Sequence, residues 1–230
     1  MTEQQTPPLR TNRSFVIREG RFTSAQKKAF GELWPKYGIP QEDLENFVLN
    51  DWFAKSQPII LDIGFGSGDS LISLAQQRPD FNFIGVEVYR PGIGAVLQKI
   101  DKQELDNIRV INIDVMQLLK TKLGVGQLTG VMVWFPDPWP KTKHHKRRLI
   151  QREFLQELER VMLPNGILHL ASDWQPYVKF MIKHVAEVKN FIPTNCSTNP
   201  LKLARPPTRF EQRGLRRGHE VSDLIYRLEK

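Results

Sequence analysis

A carboxylate held between two prolines, Asp137, is followed by an indole, Trp139. Five cations then come with no acid among them: Lys141, Lys143, Lys146, Arg147 and Arg148. A rigidly held carboxylate beside an aromatic ring can grip a flat polar base, and a cationic run next to it can hold the phosphates attached to that base. An acid also ends or follows several apolar runs upstream, at Asp62, Glu87 and Asp114. Asp62 opens the run Asp-Ile-Gly-Phe-Gly-Ser-Gly, with Gly64, Gly66 and Gly68 at every second position. Together these residues point to an enzyme that modifies a base in a nucleic acid. His144 and His145 are adjacent and have no Cys partner, which makes them poor metal ligands; no metal is expected.

The glycine run reads as a cofactor loop, because glycine lets a ligand approach the backbone. It fails the dinucleotide fingerprint G-x-G-x-x-G, whose third glycine would fall at Asp69 or Leu71. Asp69 at the start of the next helix would compete with a pyrophosphate for the helix dipole. That argues against a nicotinamide-dependent oxidoreductase. Asp62 and Asp69 instead make the crevice acidic, which suits a ligand with cationic groups and no phosphate. Glu87, nineteen residues past Gly68, stands where an acid commonly takes ribose hydroxyls.

The elements that must position these groups alternate regularly. Apolar, β-prone runs fall at 59–63, 83–88, 108–113, 131–135 and 167–171, with helical patterns at 70–77, 92–101, 115–123 and 150–161 between them. Short strands that are apolar throughout, separated by helices, predict a parallel sheet covered on both faces, a doubly wound α/β domain. Its ligands bind beyond the carboxyl ends of the strands. A helix is predicted at 24–37, a short amphipathic stretch at 41–48, a further helix at 176–188, a long Pro-, Asn- and Thr-rich loop at 190–209, and a last strand at 223–228. The pattern leaves open whether the helix bearing Lys27, Lys28 and Trp34 caps the sheet or helps enclose substrate.

The 230 residues suit one compact domain with an appendage, here divided as an N-terminal extension, 1–50, partly disordered then helical, and a main domain, 51–230. A net charge of +8 favours a polyanionic partner. The single cysteine, Cys196, excludes an internal disulfide and implies a reducing compartment. No run reaches the 18 or so apolar residues of a membrane span, and the first residues lack the apolar core of a secretory signal.

Two resemblances sharpen this reading. Asp62-x-Gly64-x-Gly66-x-Gly68 after a first strand resembles the cofactor loop of class I S-adenosylmethionine-dependent methyltransferases, whose cofactor carries a sulfonium and an ammonium. The longer string Pro136-Asp137-Pro138-Trp139, with Lys141, His144 and Lys146-Arg147-Arg148, resembles the bacterial tRNA (guanine-N7-)-methyltransferase family. So do Asp173-Trp174 and Thr208-Arg209-Phe210-Glu211 running into Gln212-Arg213-Gly214. The likeness runs from about Arg13 to Lys230.

What the likeness implies is specific. The fold would be a mostly parallel, seven-stranded, Rossmann-like sheet with an N-terminal helical extension. The substrate would be the variable-loop guanosine of tRNA, position 46, methylated at N7 in the cytoplasm by a monomer or homodimer, with S-adenosylhomocysteine as the other product. Asp137 would be catalytic and would also bind the cofactor. Asp62, Gly64, Gly66, Gly68, Glu87 (on the ribose) and Asp114 (on the adenine amino group) would hold the cofactor. Lys141, Asp173, Thr208, Arg209, Phe210 and Glu211 would bind the target nucleotide, with Trp139 or Phe210 stacking on the base, and Lys143, His144, Lys146, Arg147 and Arg148 would meet the RNA. Methyltransferases that act on exocyclic amino groups often carry Asn/Asp-Pro-Pro-aromatic at this place; here Trp139 replaces the second proline, which weighs against amino-group chemistry. Another base or protein methyltransferase on the same fold, or a non-catalytic RNA-binding protein, remain as alternatives from different classes.

Overall fold

The computed structural model describes residues 14–15, 22–44, 48–195, 205–206, 211, 218 and 220–230. The chain builds α1 (Ser24–Tyr37), β1 (Gly38–Ile39), β2 (Ile59–Ile63), α2 (Asp69–Gln77), β3 (Asn82–Val86), α3 (Arg90–Lys102), β4 (Ile108–Ile111), α4 (Val115–Thr121), β5 (Leu128–Trp134), α5 (Arg152–Val161), β6 (Met162–Ser172), α6 (Gln175–Ala186), β7 (Phe191–Thr194) and β8 (Ser222–Leu228). Among the described residues the strands form one eight-stranded sheet ordered β1-β4-β3-β2-β5-β6-β8-β7. Every neighbouring pair from β1 to β6 is parallel, and β8 runs antiparallel to both β6 and β7. The expected α/β architecture is therefore present, with one strand more than the seven anticipated. Of the amphipathic stretch expected at 41–48, residues 45–47 lie outside the described residues, and Glu42–Leu44 form a single 3-10 turn.

Strand alternation sorts the core into two layers. Ile59, Leu61 and Ile63 face the layer completed by Leu118, Phe154, Leu158 and Tyr177, from α4, α5 and α6. Ile60 faces the other, with Leu71, Leu74, Val96 and Leu97 from α2 and α3. All five residues of β2 are buried, and so are all five of β3. A strand closed in on both faces has no need of polar alternation, which is why these runs read as unbroken apolar sequence.

The helix at 24–37 packs on α3 and leads directly into β1 at the edge of the sheet. Thr23 and Gln26 form a reciprocal capping box at its start. The α1 helix lies so close on α3 that a Cβ at Gly94 would stand 2.6 Å from the Gln26 carbonyl oxygen. Ile39 extends the sheet beside Ile111, and Ile39, Leu44 and Leu49 join the α4–α6 core layer. The boundary drawn at residue 50 runs through the 3-10 turn Leu49–Trp52.

The chain leaves β2 toward β3 and β4 on one side and returns to β5 on the other. The loops that follow β2 and β5 thus border the point where the winding reverses, the place where open α/β sheets bind their ligands. The glycine loop follows β2 and Asp137 follows β5.

Candidate active site

The glycine loop is shaped by three left-handed residues, Gly64, Gly66 and Gly68. Gly68 caps α2, and a Cβ there would strike Val96 at 2.3 Å, so this glycine sets the packing of α2 on α3. Gly66 has φ +59 and nothing within 4 Å of where a Cβ would stand. Its backbone thus faces open space that a ligand can enter. Its N–H donates to the Glu87 carboxylate at 3.1 Å.

Glu87 organises this corner. One carboxylate oxygen takes the Gly66 N–H; the other takes the N–H groups of Val88, at 2.8 Å, and Tyr89, at 3.0 Å. Burial raises its pKa, the three backbone donors pull it back, and the nearby negative charge of Asp137 raises it again. Asp62 is buried, and desolvation together with the Glu87 charge pushes its pKa from the ordinary 3.8 up to about 7. Asp62, Glu87 and Asp137 thus form a crevice of three acids that a cationic ligand would relieve. Asp69 does not contribute to that charge, contrary to the expectation from sequence. It pairs with Lys99, which also donates to the Ser67 carbonyl at 2.6 Å.

This arrangement has a measurable consequence. The folded-state pKa of Asp62 lies above its unfolded value, so the native state holds the extra proton. The stability linked to that proton is complete below about pH 4 and is lost as pH rises through about 7. Each pKa unit is worth about 1.4 kcal/mol. Asp62→Asn cannot ionise, so the apo variant should gain stability over wild type, by a few kcal/mol, as pH goes from 5 to 8. Thermal unfolding across that range checks it, and parallel curves for the two proteins would refute it. The same variant should bind a cationic cofactor more weakly at pH 8.

Asp114 caps α4, its Oδ1 accepting the Met116 N–H at 2.7 Å. The helix-cap role is thus present, and the side chain also stands in the wall of a cavity of about 1300 Å³. That cavity is lined by Val88, Tyr89, Ile113 and Met116, which follow β3 and β4, and by Lys146 and Arg147. It adjoins the glycine loop through Val88 and Tyr89, two of the three residues whose N–H groups Glu87 holds.

The loop after β5 is bent by two left-handed residues that are not glycine, Phe135 (φ 55) and Trp139 (φ 43). Backbone of this kind persists only where its surroundings hold it. The Phe135 N–H continues the ladder to the Ala171 carbonyl at 2.8 Å. Arg148 Nε donates to the Pro138 carbonyl at 2.9 Å, and Trp139 Nε1 to the Ser14 carbonyl at 3.1 Å. Asp137 stands exposed at the centre of this brace. Asp173 follows β6, the strand beside β5, at the same end of the sheet.

The basic run folds as a 3-10 helix, Thr142–Arg147. Lys141, Lys143 and Lys146 are exposed, as residues that meet a polyanion must be. Arg148 corrects the sequence expectation. It is buried, with its guanidinium against the rings of Phe180, at 4.5 Å, and Tyr177, at 5.0 Å. It braces the Asp137 loop from inside. Arg147 is half turned inward: it lies 3.9 Å over the Trp139 ring and donates to the Phe15 carbonyl at 2.9 Å. His144 stands edge-on to the same indole, at 5.8 Å. Trp139 is thereby engaged in fixing this loop. Thr208, Arg209 and Phe210 lie outside the described residues, as does Cys196. Glu211 is described and accepts two hydrogen bonds from Arg205, which the sequence offers only as one of a loose basic set with Arg209, Arg213, Arg216 and Arg217.

A doubly wound sheet, a glycine loop at its switch point and an acidic crevice beside it are the marks of a methyltransferase domain. A family model described as "Putative methyltransferase" matches residues 56–224. A tRNA (guanine-N(7)-)-methyltransferase of Halorhodospira halophila is 43% identical over 95% of this chain and 96% of its own length. One of Nitrosococcus oceani is 46% identical over 93% and 89%. The chain belongs to the tRNA (guanine-N(7)-)-methyltransferase family. Among solved structures, the 16S rRNA methyltransferase KamB matches with TM-score 0.57 at 15% identity over 84% of this chain and 95% of its own. A 16S rRNA (adenine(1408)-N(1))-methyltransferase from Catenulisporales acidiphilia, solved with its cosubstrate SAM, matches with TM-score 0.53 at 16% identity over 84% and 92%. At such identities these two speak for the fold. Among the described residues no helix is long and apolar enough to cross a membrane, and no group of three or more His, Cys, Asp or Glu could hold a metal ion.

Proposed function

We propose that this protein transfers the methyl group of S-adenosylmethionine to N7 of guanosine 46 in the variable loop of tRNA, in the cytoplasm. The observation that carries the reading is the braced loop after β5: Asp137 exposed beside the acidic crevice, with Lys141, Lys143 and Lys146 exposed next along the chain. The crevice fits the cofactor, because its open backbone at Gly66 and its three carboxylates match a ligand bearing an ammonium and a sulfonium. In this reading Asp62 and Glu87 hold the cofactor's polar groups. The wall beyond Val88 and Asp114 receives its adenine. When bound, the cofactor supplies an electrophilic methyl group.

The rest falls to the chain's own residues. Guanine N7 carries an in-plane lone pair and no proton, so no base has to act before transfer. What the reaction needs is alignment and exclusion of water, and positioning of that kind supplies about 7–11 kcal/mol. Asp137 accepts hydrogen bonds from the guanine N1–H or amino group, orients the ring, and offsets the positive charge that develops on it. Lys141, Asp173 and Glu211 hold the nucleotide from the adjoining loops, with Thr208, Arg209 and Phe210 between Arg205 and Glu211 in the sequence.

Digestion of methylated tRNA to nucleosides tests the reaction. Label from S-adenosylmethionine recovered as 7-methylguanosine supports the reading; label on an exocyclic amino group or on N1 overturns it. The RNA face is tested separately. Lys143→Ala with Lys146→Ala should lower the salt slope of tRNA binding by about 1–2 and leave cofactor affinity unchanged. Arg148→Ala should instead lower stability, by about 2 kcal/mol, since it leaves the Pro138 carbonyl unpaired and strips two rings of their partner. An Arg148→Ala protein of normal stability but weakened tRNA binding would restore Arg148 to the RNA face.

A further inference from the structure

Arg205 is a junction. Its guanidinium spends every nitrogen on acids: Nη1 and Nη2 donate to the two oxygens of Glu211 at 2.6 and 2.8 Å, and Nε and Nη2 donate to the two oxygens of Asp223 at 2.7 and 3.1 Å. The Arg205 side chain is only 7% exposed. The chain of contacts continues inward from Asp223, on β8, which meets His169 Nε2, on β6, at 2.7 Å. His169 is buried and stands edge-on to Trp134, the last residue of β5, at 5.3 Å. Against the burial that would raise it, the His169 and Arg205 contacts hold the Asp223 carboxyl well below the ordinary range. Arg205 also lies 5.3 Å from the ring of Phe135, the left-handed residue two places before Asp137.

One guanidinium therefore ties together three parts that no single element joins: Glu211, the antiparallel strand β8, and the root of the Asp137 loop. We propose that Arg205 is a positioning residue for catalysis, which sets Glu211 in fixed register with Asp137 so that the two acids hold one guanine between them. The inference rests on the assignment of tRNA guanine as substrate. A fork of two bidentate pairs fixes direction as well as distance, which lysine at the same place cannot do. The Phe135 contact couples the fork to the loop that carries Asp137. Arg205 itself touches neither substrate nor cofactor in this account; it acts through Glu211.

The test is steady-state methylation of tRNA transcript by wild type, Arg205→Lys, Glu211→Gln and the double variant, with calorimetric cofactor affinity and thermal unfolding on each. The expectation for Arg205→Lys is a roughly 10- to 100-fold loss of kcat/KM for tRNA, cofactor affinity within about twofold of wild type, and a folded protein. Because the arginine acts through the glutamate, the double variant should be no worse than the more damaged single variant by more than about twofold. Fully multiplicative losses, or full activity in Arg205→Lys, overturn the proposal. Should Arg205→Lys fail to fold, Glu211→Gln and Asp223→Asn decide it. Both must lower kcat/KM for tRNA while sparing cofactor affinity, and a variant with intact tRNA turnover sinks the idea. If wild type binds cofactor but forms no 7-methylguanosine in tRNA, the substrate assignment fails and this proposal with it. If wild type forms it and the variants match wild type, only the proposal fails.

Discussion

Replacing Asp137 with asparagine should lower kcat for tRNA methylation by roughly 10²-fold, and alanine by more. The expectation follows from the brace described above. Phe135 and Trp139 hold strained backbone on either side of Asp137, and three separate hydrogen bonds, from Phe135, Arg148 and Trp139, fix the loop. A turn whose only task was to reverse the chain would not need that many anchors around one exposed carboxylate. Asparagine keeps the shape but offers one acceptor oxygen and no charge, so the ring is less well oriented and the developing cation loses its counter-charge. A second readout separates this role from a structural one. The Asp137 charge raises the pKa of Glu87, so Glu87 should titrate at lower pH in Asp137→Asn. Full turnover in Asp137→Asn would remove Asp137 from the chemistry.

The second large effect falls on the cofactor. Glu87→Ala should weaken S-adenosylmethionine binding by at least about 100-fold, equivalent to about 2.7 kcal/mol. Its carboxylate holds three backbone N–H groups, of Gly66, Val88 and Tyr89, and hydrogen bonds to a charged acceptor are worth about 1.5–3 kcal/mol each. Without that acceptor the loop around Gly66 and the strand end at Val88 lose their mutual register, and the cofactor loses a ribose partner. Glu87→Gln keeps a single acceptor oxygen and should fall between, near tenfold. Calorimetric titration measures both. A Glu87→Gln protein that binds the cofactor as wild type does would show that the carboxylate serves the fold alone.

Much of the fold was legible because its central strands are buried on both faces. The β2 strand, Ile59–Ile63, and the α1 helix, Ser24–Tyr37, have the bounds read from sequence. Legibility failed where pairing, not composition, makes the strand. β6 begins at Met162, five residues before the apolar run, and crosses the exposed stretch Leu163, Pro164 and Asn165, because Met162 pairs with Leu128 across a register shift. β7 lies within the Pro- and Asn-rich run read as loop; it contains Pro193 and, among the described residues, is an edge strand that pairs only with β8. The two-residue β1 carries too little pattern to be seen at all.

The site was legible to a similar depth. Spacing placed Asp62, Gly66, Glu87 and Asp137 at strand ends, where the structure has them. A run of cations shows charge but not direction, so the inward turn of Arg148 toward Phe180 could not be read. Nor could the neutralisation of Asp69, whose partner Lys99 lies a helix away. Arg205 reads in the sequence as one more surface cation; its pairing with Asp223, 18 residues on, exists only once β8 has paired with β6.

Methyl transfer from labelled S-adenosylmethionine to a pair of unmodified tRNA transcripts, one with guanosine and one with adenosine at position 46, followed by nucleoside analysis, decides whether guanosine 46 is the target. Labelled 7-methylguanosine should come from the first transcript and none from the second. Equal labelling of both transcripts, or no transfer by a protein that binds the cofactor, would contradict that assignment.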